Sequence, residues 1–365
     1  MKEVVAMRTK IENIELIKKL SNANGVSGFE DEVVELCKAE IKDVADFEED
    51  TLRNLYFSAK TNTNKRPKVW LDAHTDEVGF IVQYLKQNGT LQFLPVGGWA
   101  PASVVASKVR VKTKNGDYIP GIVASKPPHF MSEAERSKGP TLDQMFIDVG
   151  ARHLEELKTT FAVPVAAPIV PDTTCHYDAS TDLFLGKAFD CRIGVAALIE
   201  TLNQTTSKTL EVDIVGTFSS QEEVGLRGAK AATASLDADV AIVFEGCPAD
   251  DAFYSEDAIQ CGMGRGPMLR HFDVSMITNP RFQRFVLDVA EEFGVPVQEA
   301  VRQGGGTNGG AIHLSKNGIP TVVIGVPVRY IHSHHGFAAY ADYAGAVELA
   351  GKVIEKLNAA HIAQF

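Results

Sequence analysis

Between Gly79 and Ala167 the chain changes texture, and that change limits its possible folds more than any other feature. Short β-rich pieces (GFIVQYL, LQFLPV, SKVRVKT, DYIPGIVAS) are separated by Asn88-Gly89, Gly97-Gly98 and Asn115-Gly116. Turn dipeptides at short intervals between such pieces predict a small all-β barrel or sandwich. On either side, helix and strand patterns alternate. Ile11, Ile14, Ile17 and Leu20 recur at helical spacing until Asn24-Gly25. Val33, Val34, Leu36 and Ile41 follow on a second helix, which Ser27 and Glu30 would open as a capping box. Beyond Pro171 come AFDCRIGVAALIETL as helix, LEVDIVGTFSS and DVAIVFE as strands, RFQRFVLDVAEEFG as helix and TVVIGVPVRYIHS as strand, closed by the amphipathic AGAVELAGKVIEKLNAA. The economical reading is one α/β domain over residues 1–78 and 170–365, interrupted by a β domain over residues 79–169.

Charge and composition remove several functions. The chain has 36 Lys and Arg against 47 Asp and Glu, and its formal charge of −11 is the wrong sign for a phosphate-backbone binder, so no nucleic-acid partner is expected. No run approaches the roughly 20 apolar residues of a membrane span. MKEVVAMRTKIENIELIKK lacks the apolar core and small-residue cleavage site of a secretory leader. Cys37, Cys175, Cys191, Cys247 and Cys261 are odd in number, widely spaced and without a C-x-x-C pair, which reads as reduced thiols. A cytoplasmic protein is expected.

The chemistry stands where the apolar runs end. VWLDA leads into His74 with Asp76 two residues on, VDIVGTFSSQ into Glu222 and Glu223, VAIVF into Glu245, and the last strand run into His332. In an open, largely parallel sheet these positions share the carboxyl edge, where ligands bind. Asp190 joins them at the start of the AFDCRIGVAALIETL helix. Taken singly, each has a plainer explanation: a hydrogen-bonded structural histidine, a solvated turn, an acid favoured by a helix N-terminus. The same placement repeated at four strand ends is what points to a site. Two imidazoles with several carboxylates suit Zn, Co or Mn, and five ligands exceed what one tetrahedral ion with a water needs. A carboxylate shared by two ions roughly 3.5–4 Å apart would use all five, and a further acid beside them could act as general base.

Other motifs are weaker. Gly304-Gly305-Gly306-Thr307 lacks phosphate-loop spacing, and Gly262, Gly264 and Gly266 do not match G-x-G-x-x-G. A G-x-S-x-G elbow is absent, and adjacent Glu222 and Glu223 cannot alone flank a glycosidic bond. His313 is read as structural, and His129 has no partner in sequence.

SNANGVSGFEDEV, LDAHTDEVGFIV, GGWAP, PGIVASKPPHF, DQMFIDVGA, GKAFDCRIG, SSQEEVGLRGA, GGGTNGGAIH and RYIHS, in that order, resemble the dinuclear metallo-aminopeptidases that include glutamyl aminopeptidase and the tetrahedral (TET) aminopeptidases. The resemblance covers nearly the whole chain. It implies a zinc-exopeptidase-type mixed sheet flanked by helices, with the inserted small β-barrel serving assembly and substrate access. It implies two divalent ions per subunit, Zn, Co or Mn, with His74 on one, Asp190 bridging, Glu223 on the second, Glu222 as general base, Glu245 on the first and His332 on the second. Asp76 would orient His74 through its other ring nitrogen. The implied assembly is a homo-oligomer, a dodecamer built from dimers. Three residues depart from the family pattern: Cys191 where the triplet Asp-Asp-Arg is usual, Glu245 where Asp is commoner, and Asn308 where Asp usually follows Gly-Gly-Thr. His334, two residues after His332, would face the same side of an extended strand and compete with it as ligand.

The expected function is release of N-terminal residues from short peptides with a free N-terminus. The rivals are a related amide hydrolase (carboxypeptidase or deacylase) and a non-catalytic assembly protein on the same scaffold.

Overall fold

The computed structural model describes residues 8–365; residues 1–7, the start of the segment scanned for a leader, lie outside the described residues. Three strands come first, β1 (Ala45–Glu49), β2 (Leu55–Ala59) and β3 (Lys68–His74). The next six are β4 (Gly79–Leu85), β5 (Thr90–Val96), β6 (Lys108–Lys112), β7 (Tyr118–Ala124), β8 (Phe146–Asp148) and β9 (Pro168–Pro171). They close into a barrel in the order β4-β5-β8-β7-β6-β9. Phe80, Phe93, Val109, Val111, Val123, Ile147 and Ile169 fill its interior, and the alternation along β6 puts Val109 and Val111 inward.

Eight further strands return to the first layer: β10 (His176–Asp178), β11 (Leu183–Gly186), β12 (Asp213–Ser219), β13 (Val240–Pro248), β14 (Met268–Phe272), β15 (Gln298–Val301), β16 (Thr321–Arg329) and β17 (Gly336–Ala339). With β1–β3 they make an 11-stranded mixed sheet in the order β1-β2-β12-β3-β13-β16-β17-β11-β10, with β14 paired to β16 and β15 to β14. The fold is therefore the helix-flanked mixed α/β sheet with a closed β-barrel that the motifs imply. The strands β12, β3, β13 and β16 run parallel at its centre, and Ser219 lies level with His74. These strands are buried at nearly every position because helices cover both faces. The helix Phe189–Thr205 is buried along nearly its whole length and packs on β3, β13 and β16. Among the described residues no helix is long and apolar enough to cross a membrane, and all five cysteines are buried and free.

Four local expectations fail for physical reasons. Ser27 and Glu30 form no capping box: Ser27 Oγ donates to Asp76 Oδ2 at 2.6 Å, and Glu30 Oε1 accepts from the Gly28 and Gln221 amides. Tertiary partners outcompete the helix end there, while an unanticipated capping box, Thr9 with Glu12, opens the helix Lys10–Asn22. Glu245 is not a strand terminus, because β13 continues to Pro248. The final apolar run stops being strand at Arg329; Tyr330 (φ 62°) and His332 (φ 56°) are left-handed, so the two-residue alternation linking His332 to His334 does not hold.

Candidate active site

Asp190 is the centre. The residue before the helix, Ala188, is left-handed at φ 55°, and Asp190 and Cys191 are not yet helical, so the chain turns their side chains toward the sheet edge. Asp190 Oδ1 lies 2.9 Å from His74 Nε2, and Oδ2 lies 3.1 Å from His332 Nε2. Each imidazole has a second carboxylate: Glu245 Oε1 at 3.3 Å from His74 Nε2, Glu223 Oε2 at 3.4 Å from His332 Nε2. All five residues assigned to ions by resemblance thus converge in two half-sites sharing one carboxylate.

The far ring nitrogens are held by carbonyls. His74 Nδ1 is 3.1 Å from the Asp76 carbonyl, and His332 Nδ1 is 3.0 Å from that of Gly98. A carbonyl only accepts, so Nδ1 carries a proton, and Nε2 of each ring is left facing Asp190, where an ion would take its lone pair. Gly98 belongs to the loop after β5, and a Cβ there would sit 3.3 Å from His332 Nδ1; glycine permits the approach. Asp76 accepts the Glu222 amide at 2.8 Å on Oδ1 and the Glu223 amide at 3.1 Å on Oδ2. Oδ1 also lies 3.3 Å from His74 Nδ1, so one carboxylate touches both His74 and the Glu222–Glu223 turn.

The electrostatics are those of an acid cluster. Burial, together with the neighbouring carboxylates, pushes the Glu222 and Glu223 carboxyls well above their usual range and raises Glu245. Burial acts upward on Asp190 too, but hydrogen bonds from His332 and His74 hold it well below the usual range. Glu223 Oε1 is buried without a partner. Packed acids, two imidazole Nε2 atoms converging on one carboxylate and an orphaned carboxylate oxygen fit divalent cations. His74, Asp190 and Glu223 hold ligand atoms within 4.8 Å of one another, as do His74, Cys191 and Glu245.

Two candidates fall outside. Both ring nitrogens of His334 are buried and unpaired, its ring packs 5.2 Å from Trp99, and burial lowers its pKa to about 4. It therefore faces the aromatic contact with the barrel and not Asp190. His313 Nδ1 bonds the Gly309 carbonyl at 2.9 Å, a structural role. Asn308 Nδ2 donates at 2.8 Å to Asp72 Oδ2, while Thr217 and Ser219 hydroxyls donate to Oδ1. An Asp at 308 could not make that donation without a proton.

The family profile of the M42 glutamyl aminopeptidases matches residues 54–349. The chain belongs to the M42 family. It is a peptide-bond hydrolase of the aminopeptidase class, in a family of metallopeptidases. It is 31% identical over 356 residues to the glutamyl aminopeptidase of Lactococcus lactis subsp. cremoris, covering 97% of this chain and 99% of that protein. The lysyl aminopeptidase of Pyrococcus furiosus is 32% identical over 353 residues, with 94% and 97% covered. Among solved structures, a TET aminopeptidase from a marine-sediment thaumarchaeote superposes with a TM-score of 0.93 at 38% identity, covering 97% and 99% of the two chains. A Pyrococcus horikoshii TET peptidase described as assembling into a tetrahedron or a large octahedral shell superposes with a TM-score of 0.83 at 28% identity, covering 96% and 100%.

Sequence reasoning missed several residues behind the M42 site. Glu77 Oε1 and Oε2 lie 2.6 and 2.7 Å from Lys187 Nζ, and Oε1 lies 3.4 Å from Arg192 Nη2. Arg192 donates to the Thr75, Leu20, Ala23 and Gly25 carbonyls. Only the motif GKAFDCR, with both cations flanking Asp190, hinted at them. Asp76→Ala, which takes the carboxylate from His74 Nδ1 and from the Glu222–Glu223 turn while leaving the carbonyl contact to His74, is expected to weaken metal retention about 10–100-fold, measured by competition with a chromophoric chelator.

Proposed function

We propose that this chain is a metal-dependent aminopeptidase acting through two divalent ions. Supporting it is one observation: Asp190 offers one oxygen to each of two histidines, and each histidine has its own glutamate. His74, Glu245 and Asp190 would hold one ion, and His332, Glu223 and Asp190 the other. Ions there would supply a Lewis acid for the scissile carbonyl and a water of lowered pKa. Glu222, on the cleft wall beside them, takes the proton of the attacking water and returns it to the leaving amine. The acid cluster favours the cationic α-amine of an unblocked peptide and disfavours a terminal carboxylate, which sets an aminopeptidase ahead of a carboxypeptidase. The test is a panel of free and N-acetylated aminoacyl anilides offered to metal-stripped protein restored with Zn, Co or Mn. Metal-dependent release from free-amine compounds alone is expected; equal release from acetylated ones would make it a deacylase, and silence with two ions bound would leave the assembly-protein reading.

The cleft, about 690 Å³, adds a side-chain preference. Apart from Asp190, Glu222, Glu223 and Glu245, its charged walls are the guanidiniums of Arg270 and Arg302. Arg270 is tied to Asp273 at 3.1 Å and Arg302 to Asp250 at 3.0 Å, and the Nε of each is buried and unpartnered. They favour an acidic first residue, in line with the glutamyl and against the lysyl relative. Arg302→Met is expected to lower kcat/KM for a glutamyl substrate about 10–100-fold relative to a leucyl one, the worth of a charged hydrogen bond; an unchanged ratio would remove the preference. The barrel exposes Leu94, Ile122 and Phe130, and with the shell-forming relative this supports a role for the barrel in homo-oligomer assembly.

A further inference from the structure

We infer that Cys191 is a metal ligand: a thiolate joining His74 and Glu245 on the first ion, an inference that rests on the two-ion reading above. Its sulfur is fully buried, and with His74 and Glu245 it forms a group whose donor atoms all lie within 4.8 Å of one another. His74 Nε2 and Glu245 Oε1 are themselves 3.3 Å apart. Adjacent side chains on a regular helix diverge by about 100°. Asp190 (φ −82°, ψ 105°) and Cys191 (φ −113°, ψ 26°) escape that divergence because neither is helical, so both reach the same half-site.

The sulfur donates a hydrogen bond to the carbonyl of Phe244, the residue preceding Glu245 in β13, at 3.2 Å. On binding, the S–H bond breaks, the proton goes to solvent, the bond to Phe244 is given up and the sulfur lone pair goes to the ion. No electron is transferred. The half-site then offers one sulfur, one nitrogen and carboxylate oxygens, whereas the His332 half-site offers nitrogen and oxygen alone. Sulfur selects Zn or Co over Mn at the first position and leaves the second unbiased.

The experiment is X-ray absorption at the zinc edge of the full-length protein loaded to two ions, beside Cys191→Ser. Wild type is expected to show one sulfur per two zinc ions at about 2.3 Å. Cys191→Ser is expected to lose that sulfur and to retain one of its two ions at least about tenfold more weakly, the lower end of what losing even a supporting partner costs. With Co(II), wild type should show a near-ultraviolet thiolate charge-transfer band that the variant lacks. Cys191→Asp, an oxygen donor at the same place, provides a second variant should serine not fold; it is expected to hold two ions without sulfur. Two zinc ions in wild type with only nitrogen and oxygen neighbours would overturn the inference and leave the aminopeptidase reading standing. Failure to bind zinc at all would overturn both.

Discussion

Glu222→Gln is expected to lower kcat about 10²–10⁴-fold, the usual contribution of a general base, while KM and the two-ion stoichiometry stay within twofold of wild type. Its backbone amide is pinned to Asp76 Oδ1 at 2.8 Å, so the side chain is presented from a fixed turn. Burial and the charges of Glu245, Asp190 and Asp76 raise its affinity for a proton. A carboxylate so placed can take a proton from water and hold it long enough to pass it on. Glutamine keeps the shape and cannot take the proton. Glu223→Gln should behave differently, because Glu223 stands 3.4 Å from His332 Nε2 and is assigned to an ion; it should lose metal first and rate as a consequence. Steady-state kinetics with metal analysis separates the two, and Glu222→Gln keeping a tenth or more of wild-type kcat would end its assignment as base.

Glu77→Ala is expected to destabilise the protein by about 3–5 kcal/mol, the cost of leaving buried charges without their partner. Glu77, Lys187 and Arg192 are at most 2% exposed at their side chains, and among the described residues Glu77 is the one anion paired with both cations. Glu77 also joins the chain on either side: its amide donates to the Gly25 carbonyl at 2.9 Å, and Lys187 reaches the Ala23 carbonyl at 3.0 Å. The triad thereby ties the end of the helix Lys10–Asn22 to the segments carrying His74 and Asp190. Chemical denaturation of metal-stripped protein measures the cost apart from metal binding. Adding Lys187→Met should recover part of it, since the two residues are in direct contact. A loss under about 1 kcal/mol for Glu77→Ala would show that the cations find water or other partners.

Much of the architecture was legible along the chain. Turn dipeptides at short intervals marked the barrel, because a strand's period and its turns are local properties. Polar residues ending apolar runs marked His74, Glu222, Glu223 and His332, because parallel strands bury every position until the sheet edge. Glu245 was found for a reason that did not hold, since β13 continues to Pro248. Ser27 and Glu30 had a local role available, the capping box, and left it for partners across the fold, Asp76 and the Gln221 amide.

Residue type and local periodicity determined, without a structure, that two histidines and a set of acids would stand at one sheet edge beside a small barrel. Only the tertiary structure decided which atoms meet. His74 and Asp190 are 116 residues apart, His332 and Gly98 are 234 apart, and the pairing of an imidazole with a particular oxygen exists only once the sheet has closed. His332 and His334 differ by two positions, and the left-handed turn at His332 sends one toward Asp190 and the other against Trp99. Local pattern reports the burial of a side chain; its partner is set by long-range packing, which periodicity does not record.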